Sequence, residues 1–302
     1  MDYKKLFKSR KLRQSILNCL EFIPDSLMVR IQYYLNFNRW LNLDNPTRYS
    51  EKIQWYKLYY RNPLIKQCSD KYAVRDYVKS KGLDHILNDC YGVYENIDEI
   101  NFDELPEKYV IKDTMGSGST GIIFVHDKND LDVDVAKKIM KQWLAIPAKR
   151  KSYGREWGYE GIKHRLIIEK MLLKTPTDDL PDYKFFCFNG KVYCSYFMEN
   201  YSLNPSNGVL AFFDRGFKHM NVYRKDFKPL EYQPKKPKNY DLMVKYAEIL
   251  ASDFPHVRVD LYNLEGIIIF GELTFYNASG YVKFNPDSFD ERMGNQFELP
   301  AK

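Results

Sequence analysis

Residues 257–275 read VRVDLYNLEGIIIFGELTF, and this pattern predicts two strands joined by a tight turn at 263–266. Alternate residues of a strand point to the same face of a sheet. If the two strands pair, polar side chains from both of them therefore converge on one surface of an otherwise apolar hairpin. The side chains brought together in this way are Arg258, Asp260, Glu272 and Thr274.

Two interpretations of this polar cluster are open. Clustered carboxylates suit Mg²⁺, a hard cation that carries ATP phosphates and keeps several waters. The alternative is a salt-bridged outer face of a sheet. Asp and Glu are disfavoured in apolar strands unless they have a partner, which favours the metal site. The polar residues Asn277 and Ser279 follow directly after the second strand.

A glycine-rich loop stands earlier in the chain, between two short apolar runs at 109–112 and 122–125. Its backbone N–H groups could surround phosphates, and Lys112 ends the preceding strand within reach of them. The loop is not a P-loop, because no Gly-Lys-Ser/Thr follows and the next element is a strand. A plain flexible hairpin tip remains the alternative. The loop consists of Gly116, Ser117, Gly118, Ser119, Thr120 and Gly121.

The rest of the chain predicts an α+β fold, with helices first and antiparallel strands later. Residues 1–90 show helical spacing of apolar residues, including a helix over 70–80. A further helix is expected around 135–144 and another over 241–252. Strands are expected at 165–169, 183–188 and 191–197, and Asn189-Gly190 between the last two predicts a hairpin turn.

Composition excludes several classes of protein. The 302 residues are 44% hydrophobic and 28% charged, with a net charge of +6, which is typical of a globular domain and not of disorder. The five cysteines are scattered without a Cys-x-x-Cys pair, so a disulfide framework or zinc knuckle is not expected. The basic clusters lack an RNA-binding aromatic signature, so no nucleic-acid partner is expected. No apolar run approaches the roughly 20 residues of a membrane span.

Several ordered motifs resemble those of the ATP-grasp superfamily: Asp70-Lys71, the strand lysine 112, the glycine loop, the run 169–172, and Arg258-x-Asp260 followed by Glu272. More narrowly, the runs SEKIQW (50–55), DYKFFCFNGK (182–191) and GELTFY (271–276) resemble the TupA-like branch. That branch is linked with teichuronopeptide and other bacterial surface-polysaccharide synthesis. The resemblance spans roughly residues 40–295.

The resemblance implies a role for each matching residue. Lys71 and Lys112 would bind ATP phosphates, the glycine loop would be a lid over them, and Lys184 and Arg258 would be catalytic groups facing the phosphates. Asp182 would contact ribose or metal. The expected adenine hinge is Glu169, Lys170, Met171 and Leu172. The expected magnesium ligands are Asp260, Glu272 and Thr274. Because many relatives have asparagine where this chain has Thr274, Asn277 is an alternative ligand.

The fold implied is an ATP-grasp fold of two α+β subdomains gripping ATP, preceded by a mainly helical region. The expected division is 1–90 (helical), 91–170 (small subdomain with the lid) and 171–302 (subdomain with the metal and phosphate site). The implied activity is a cytoplasmic, Mg²⁺- and ATP-dependent ligase that joins an amino acid or amine to a uronic acid or related, nucleotide-linked sugar carboxylate in polysaccharide or capsule synthesis. The alternatives are a sugar phosphotransferase and a non-catalytic carbohydrate-binding protein.

The first 40 residues lie outside the clearest resemblance and are rich in lysine and arginine. They could form a helix at a membrane surface or simply a packing helix. The sequence therefore leaves peripheral membrane contact as an expectation that depends on what this region exposes.

Overall fold

The computed structural model describes residues 17, 19–116, 121–172, 179–200 and 207–301. The described part of the chain begins with helices and continues with two mainly antiparallel sheets, as the sequence predicts; the larger sheet includes one parallel pair of strands. The helices before the first strand are α1 (Asp25–Phe37), α2 (Tyr49–Tyr59), α3 (Leu64–Ser69) and α4 (Val74–Ser80).

The predicted helix over 70–80 begins only at Val74. One carboxylate oxygen of Asp70 accepts hydrogen bonds from the backbone N–H groups of Tyr72 and Ala73, both at 2.8 Å. This local pairing gives the backbone an alternative to the helix. Lys71 therefore lies in a turn between α3 and α4 rather than on a helix.

The small sheet contains β1 (Cys90–Tyr94), β2 (Tyr109–Asp113), β3 (Ile122–Val125) and β4 (Leu166–Lys170) in the order β1-β4-β2-β3. The predicted pairing of β2 with β3 is confirmed, with Lys112 opposite Ile122. Helix α5 (Val133–Leu144) begins after Asp132, which caps it, and buries Ala136 and Met140 in the core of this sheet.

The large sheet is built from β5 (Asp182–Phe188), β6 (Lys191–Glu199), β7 (Val209–Asp214), β8 (His219–Met220), β10 (Lys228–Pro229), β11 (His256–Leu264) and β12 (Ile267–Thr274). Its main order is β10-β7-β6-β5-β11-β12. The turn between β5 and β6 is confirmed: Asn189 and Gly190 have φ of 48° and 73°, values that the tight hairpin turn requires. Two short strands, β9 (Tyr223–Arg224) and β13 (Phe284–Asn285), pair separately.

Different helices pack on the two faces of the large sheet. Helix α6 (Tyr240–Ala251) packs on one face, where the Tyr240 ring contacts Phe185 at 5.7 Å. On the other face, Tyr49 of α2 packs against Phe186 at 6.2 Å, and α7 (Ser288–Gln296) packs against α2. Helices α2 to α4 share their core with this sheet. On this second face the aromatic packing around Phe186 extends over only part of each strand. The polar residues of β5, β11 and β12 occupy the remaining part.

Among the described residues, no helix combines the length and apolar character that crossing a bilayer requires.

Candidate active site

Arg258 lies at the centre of a buried polar cluster on β11 and β12. Its guanidinium donates to both carboxylate oxygens of Asp260, at 2.7 and 2.6 Å, and to Glu272 at 3.1 Å. It also donates to the Thr274 hydroxyl at 2.9 Å and the Asn277 side-chain oxygen at 2.5 Å. The structure thus brings together the four side chains that strand alternation predicts, with Asn277 beside them as the sequence also suggests.

A bulge at Gly271 directs Glu272 towards this cluster. Asp260 pairs with Glu272, but Leu261 already pairs with Phe270, so Gly271 is the extra residue on β12. A Cβ at Gly271 would lie 3.0 Å from the carbonyl oxygen of Asp260. Bulges re-aim side chains in this way. Here the bulge lets Glu272 face the site while Phe270 packs in the hydrophobic core.

The charge on Glu272 is stabilised by the surrounding cations. Partial burial raises the pKa of this carboxyl group, but Arg258, Lys184 and Lys71 outweigh it and bring the pKa down to about 2. The side chain is nevertheless 46% exposed. Glu272 is therefore an ionised carboxylate that remains accessible from outside the cluster.

Lys184 links β5 to the same cluster. Its ammonium donates to Asp260 at 2.5 Å and contacts Asp182. Burial lowers the pKa of Lys184, but these two carboxylates outweigh it and hold the pKa well above its ordinary value. Burial raises the pKa of Asp182 to about 6, against the opposing effect of Lys184. The Oδ1 atom of Asp182 is buried and has no hydrogen-bond partner within the described part of the chain.

Two further lysines lie at the small sheet, Lys112 on β2 and Lys71 in the turn that is hydrogen-bonded to this sheet. Lys71 donates to the carbonyl oxygen of Gly116, and Lys112 donates to Glu169 at 2.8 Å. Burial lowers the pKa of Lys71, and the charge of Glu272 acts in the opposite direction. The opposite charges of Lys71 and Glu272 each shift the pKa of the other group.

The expected adenine hinge lies at the end of β4. Glu169 is bound by Lys112 and by Arg75 at 3.4 Å, so its carboxylate is already engaged. The Lys170 backbone N–H donates to the carbonyl of Asp89 at 3.0 Å, and its carbonyl accepts from the Asn88 side chain at 2.9 Å. The remaining two expected residues, Met171 and Leu172, follow directly after the strand.

The structure describes the two ends of the glycine loop. The Asp113 N–H donates to the carbonyl of Gly121 at 2.9 Å, which extends the β2–β3 pairing. Gly121 has a φ of 81°, and a Cβ there would lie 3.1 Å from the Gly116 Cα, so the base of the loop is narrow and requires glycine at 121. Ser117, Gly118, Ser119 and Thr120 lie outside the described residues, and the lid stays a prediction.

No sequence pattern predicted the salt bridge that fixes the Lys71 turn. Arg165 donates to Asp70 at 3.0 Å, and the backbone of Arg165 exchanges hydrogen bonds with Thr114 at 2.9 and 3.3 Å. The Lys71 N–H also donates to the carbonyl of Thr114 at 3.0 Å. These contacts tie the turn to the small sheet, so the position of Lys71 follows from that sheet.

A buried lysine of α2 was also missed. Lys57 donates to Gln54 at 2.8 Å, to the carbonyl of Gly154 at 2.9 Å and to the Ser279 hydroxyl at 3.1 Å. Burial lowers its pKa to about 7, and the carboxylate of Glu156 opposes that effect. Ser279 has a φ of 58° in the turn that carries Asn277. No linear motif joins these positions, which meet only in the fold.

The donor set fits a magnesium ion that is held jointly with phosphate. Asp260 and Glu272 are cross-strand neighbours, and Mg²⁺ typically takes one or two carboxylates together with phosphate oxygens and waters. No group of three His, Cys, Asp or Glu in the described ranges could hold a metal on its own. The side-chain oxygens of Thr274 and Asn277 both accept from Arg258, so either would have to share that bond to become a ligand.

Comparison with known proteins identifies the family. A family model described as TupA-like ATPgrasp matches residues 51–298. No curated protein matches the chain significantly.

Solved structures of three ligases and synthetases resemble the chain at low identity. D-alanine–D-alanine ligase from Bacillus anthracis is 19% identical, covers 69% of this chain and 57% of its own, and has a TM-score of 0.39. ATP-grasp ligase PsnB, complexed with a precursor variant, Mg and ADP, is 9% identical over 83% and 66%, with a TM-score of 0.43. D-cycloserine synthetase DcsG is 13% identical over 76% and 72%, with a TM-score of 0.42.

The chain therefore spans little more than half the length of the Bacillus anthracis ligase. The family match, in contrast, covers most of the present sequence and includes β2, the glycine loop, β5, β11 and β12. It confirms the resemblance inferred from the ordered motifs and, with it, the expected ATP-grasp fold. The chain belongs to the TupA-like ATP-grasp family.

Proposed function

We propose that the chain is a Mg²⁺- and ATP-dependent carboxylate–amine ligase that acts through an acyl phosphate. The observation that carries this proposal is the cluster in which Asp260 holds Arg258 and Lys184 next to the exposed carboxylate of Glu272. The charge of Lys71, in the turn beside the small sheet, lowers the pKa of the same carboxyl group. A triphosphate between the sheets would contact both sets of cations.

The chemistry needs charge neutralisation rather than a protein nucleophile. In the first step a carboxylate oxygen of the substrate attacks the γ-phosphorus of ATP, the bond to the β-phosphate oxygen breaks, and ADP leaves. In the second step an amine nitrogen attacks the acyl carbon, inorganic phosphate leaves with its bonding electrons, and the nitrogen releases a proton. Fixed cations that stabilise the developing charge supply most of the rate enhancement in such transfers.

Each cation has a distinct place in this proposal. Lys184 and Arg258 are held by Asp260 in a fixed geometry, so they would stabilise the transferring phosphoryl group without reorganisation. Lys71 and Lys112 would hold the other ATP phosphates. Asp260 and Glu272 would hold Mg²⁺, which when bound neutralises charge on the phosphate oxygens. ATP would replace the present contacts of Lys71 with Gly116 and of Lys112 with Glu169.

The substrates are inferred at the level of chemical class. The resemblance to the TupA-like branch supports a uronic acid or similar sugar carboxylate as the first substrate, either free or linked to a nucleotide. It supports an amino acid or amine as the second substrate. The setting would be bacterial surface-polysaccharide or capsule synthesis in the cytoplasm. As a lid over the acyl phosphate, the glycine loop would exclude water.

Release of ADP over a panel of nucleotide-linked uronic acids, with and without amino acids, tests the proposal. A ligase requires both the carboxylate and the amine for sustained ADP release. ADP release that needs only a sugar hydroxyl would instead indicate a phosphotransferase. Failure to bind Mg²⁺-ATP in calorimetry would indicate a non-catalytic carbohydrate-binding protein.

A further inference from the structure

Helix α1 has apolar residues on two sides. Its inner side buries Met28, Val29 and Tyr33, two of which pack in a core with α2. Its outer side presents four apolar residues at helical spacing, each 39–50% exposed. A surface helix normally has a single apolar stripe facing the core. The outer residues, termed here the α1 stripe, are Leu27, Ile31, Tyr34 and Leu35.

Two large aromatic side chains flank the α1 stripe. Phe22 precedes the helix and is 82% exposed, and Trp40 follows it and is 78% exposed. The Trp40 ring lies 4.6 Å from the ring of Tyr34, so it extends the stripe beyond the end of the helix. Amphipathic aromatic rings are enriched where proteins meet the interface between lipid and water.

Positive charge adjoins the carboxyl end of the stripe. A groove of about 270 Å³ is lined there by Leu35, Phe37, Arg39, Lys225 and Lys283, among others. Lys225 and Lys283 are exposed on neighbouring segments, joined by a backbone hydrogen bond of 2.9 Å. An anionic group could enter the groove and meet both ammonium groups.

Two carboxylates near this surface are already paired. Asp25 at the start of α1 is bound by Lys151 at 2.9 Å and Arg155 at 3.3 Å. Asp287, beside the groove, is bound by Arg39 at 2.8 Å and Arg48 at 2.9 Å. Asp287, which also lines the groove, therefore pairs with arginines and not with Lys225 or Lys283, so these two lysines can attract anions from solution.

The sequence that precedes α1 has the same charge. Residues 1–16 contain six basic residues and one acidic residue. This segment joins the described chain at residue 17, a few residues before Phe22. Basic charge thus lies on both sides of the α1 stripe, in sequence before it and in the folded structure at its end.

We infer that the α1 stripe, with Phe22, Trp40 and the Lys225/Lys283 groove, is a docking surface for an anionic lipid membrane. Peripheral binding of this kind combines burial of an apolar helix face with attraction of basic residues to anionic headgroups. The surface carries both components side by side, and Asp25 and Asp287 are paired with basic residues. It lies on α1, whereas the candidate active site lies on β5, β11 and β12, so the two can be tested separately.

Co-sedimentation of the full chain with vesicles tests the inference. The wild-type protein should bind phosphatidylcholine vesicles that contain 30% phosphatidylglycerol, and binding to pure phosphatidylcholine should be far weaker. The double variant Ile31→Ser/Leu35→Ser should lower the partition coefficient about tenfold or more, because two half-exposed aliphatic side chains no longer enter the bilayer. Ile267→Ser is the matched control, since Ile267 is 68% exposed on the distant β11–β12 hairpin.

A second pair of variants tests the charge component. Lys225→Glu/Lys283→Glu should weaken binding to the anionic vesicles by about thirtyfold or more and reduce its dependence on salt, since each basic residue near such a surface contributes on the order of 1 kcal/mol. Lys141→Glu, an exposed position on α5, should bind as the wild-type protein does. Circular dichroism of each variant verifies that the fold is retained.

Three results would overturn the inference. The first is a wild-type chain that does not bind anionic vesicles. The second is binding that Ile31→Ser/Leu35→Ser leaves unchanged. The third is a concentration-dependent dimer in sedimentation velocity that the same double variant abolishes, because the α1 stripe would then be an interface with a second copy.

Discussion

Glu272→Gln is expected to separate turnover from stability. The side chain is 46% exposed, and its described contacts are hydrogen bonds of 3.1 Å to Arg258 and to Thr274. Ion pairs of such exposure contribute about 0.2–1 kcal/mol, and glutamine keeps the shape and one acceptor oxygen. The free energy of unfolding should therefore fall by at most about 1 kcal/mol.

Turnover should fall far more. The low pKa of about 2 keeps Glu272 ionised at every practical pH, so the substitution removes a full negative charge from the proposed metal site. A loss of about a hundredfold or more in ADP release is expected, which corresponds to about 2.7 kcal/mol of barrier. A coupled ADP assay measures the rate, and urea denaturation followed by tryptophan fluorescence measures stability.

Glu265→Gln is the matched control, because Glu265 is exposed in the turn of the same hairpin. It should leave both quantities unchanged. Near-normal ADP release by Glu272→Gln would refute the metal assignment. A loss of more than about 3 kcal/mol of stability, as removal of one partner from a buried ion pair causes, would show that the carboxylate is structural instead.

Three further predictions concern the framework of the site. Arg258→Met should cost about 3–5 kcal/mol of unfolding free energy because it leaves Asp260 buried beside fewer cations. Adding Asp260→Asn should recover at least about 1 kcal/mol. Strictly additive losses in urea denaturation would contradict this coupling of Arg258 with Asp260. Gly271→Ala should lower the unfolding free energy by about 1–3 kcal/mol, since its Cβ would meet a backbone carbonyl oxygen at 3.0 Å. It should also lower turnover by displacing Glu272. A variant with wild-type stability and wild-type turnover would argue against the role of the bulge. Burial lowers the pKa of His256 from about 6.5 to about 3, so the unfolded state binds more protons between these pH values. The unfolding free energy should therefore fall on acidification by up to about 1.4 kcal/mol per pH unit. His256→Gln should flatten this slope between pH 7 and 4, and an unchanged slope would disprove the explanation.

Strand alternation was enough to predict the centre of the site. Arg258, Asp260, Glu272 and Thr274 follow from a period of two on a hairpin whose turn is readable in the sequence. The bulge at Gly271 was not predicted, because a single glycine in a strand does not reveal on which side an extra residue is accommodated. Its effect is visible only in the pairing of Phe270 with Leu261.

Contacts between distant parts of the chain determine the features that local sequence patterns did not predict. Asp70 binds the backbone of its own turn, which delays the start of the predicted helix. Arg165, which directly precedes β4, fixes that carboxylate. Lys57, Gly154 and Ser279 are far apart in the chain and meet through the packing of α2 against the turn after β12. Propensity and spacing act over short separations, so neither could have identified these groups.

The path of one oxygen atom tests the proposed ligase chemistry most directly. A carboxylate substrate found in the ADP-release panel is labelled with ¹⁸O, incubated with ATP, Mg²⁺ and the amine, and the phosphate released is examined by ³¹P NMR. Because the carboxylate oxygen attacks the γ-phosphorus and remains on phosphate when the amine displaces it, one ¹⁸O atom is expected in each inorganic phosphate formed. Unlabelled phosphate, or phosphate that stays on the sugar, would contradict it.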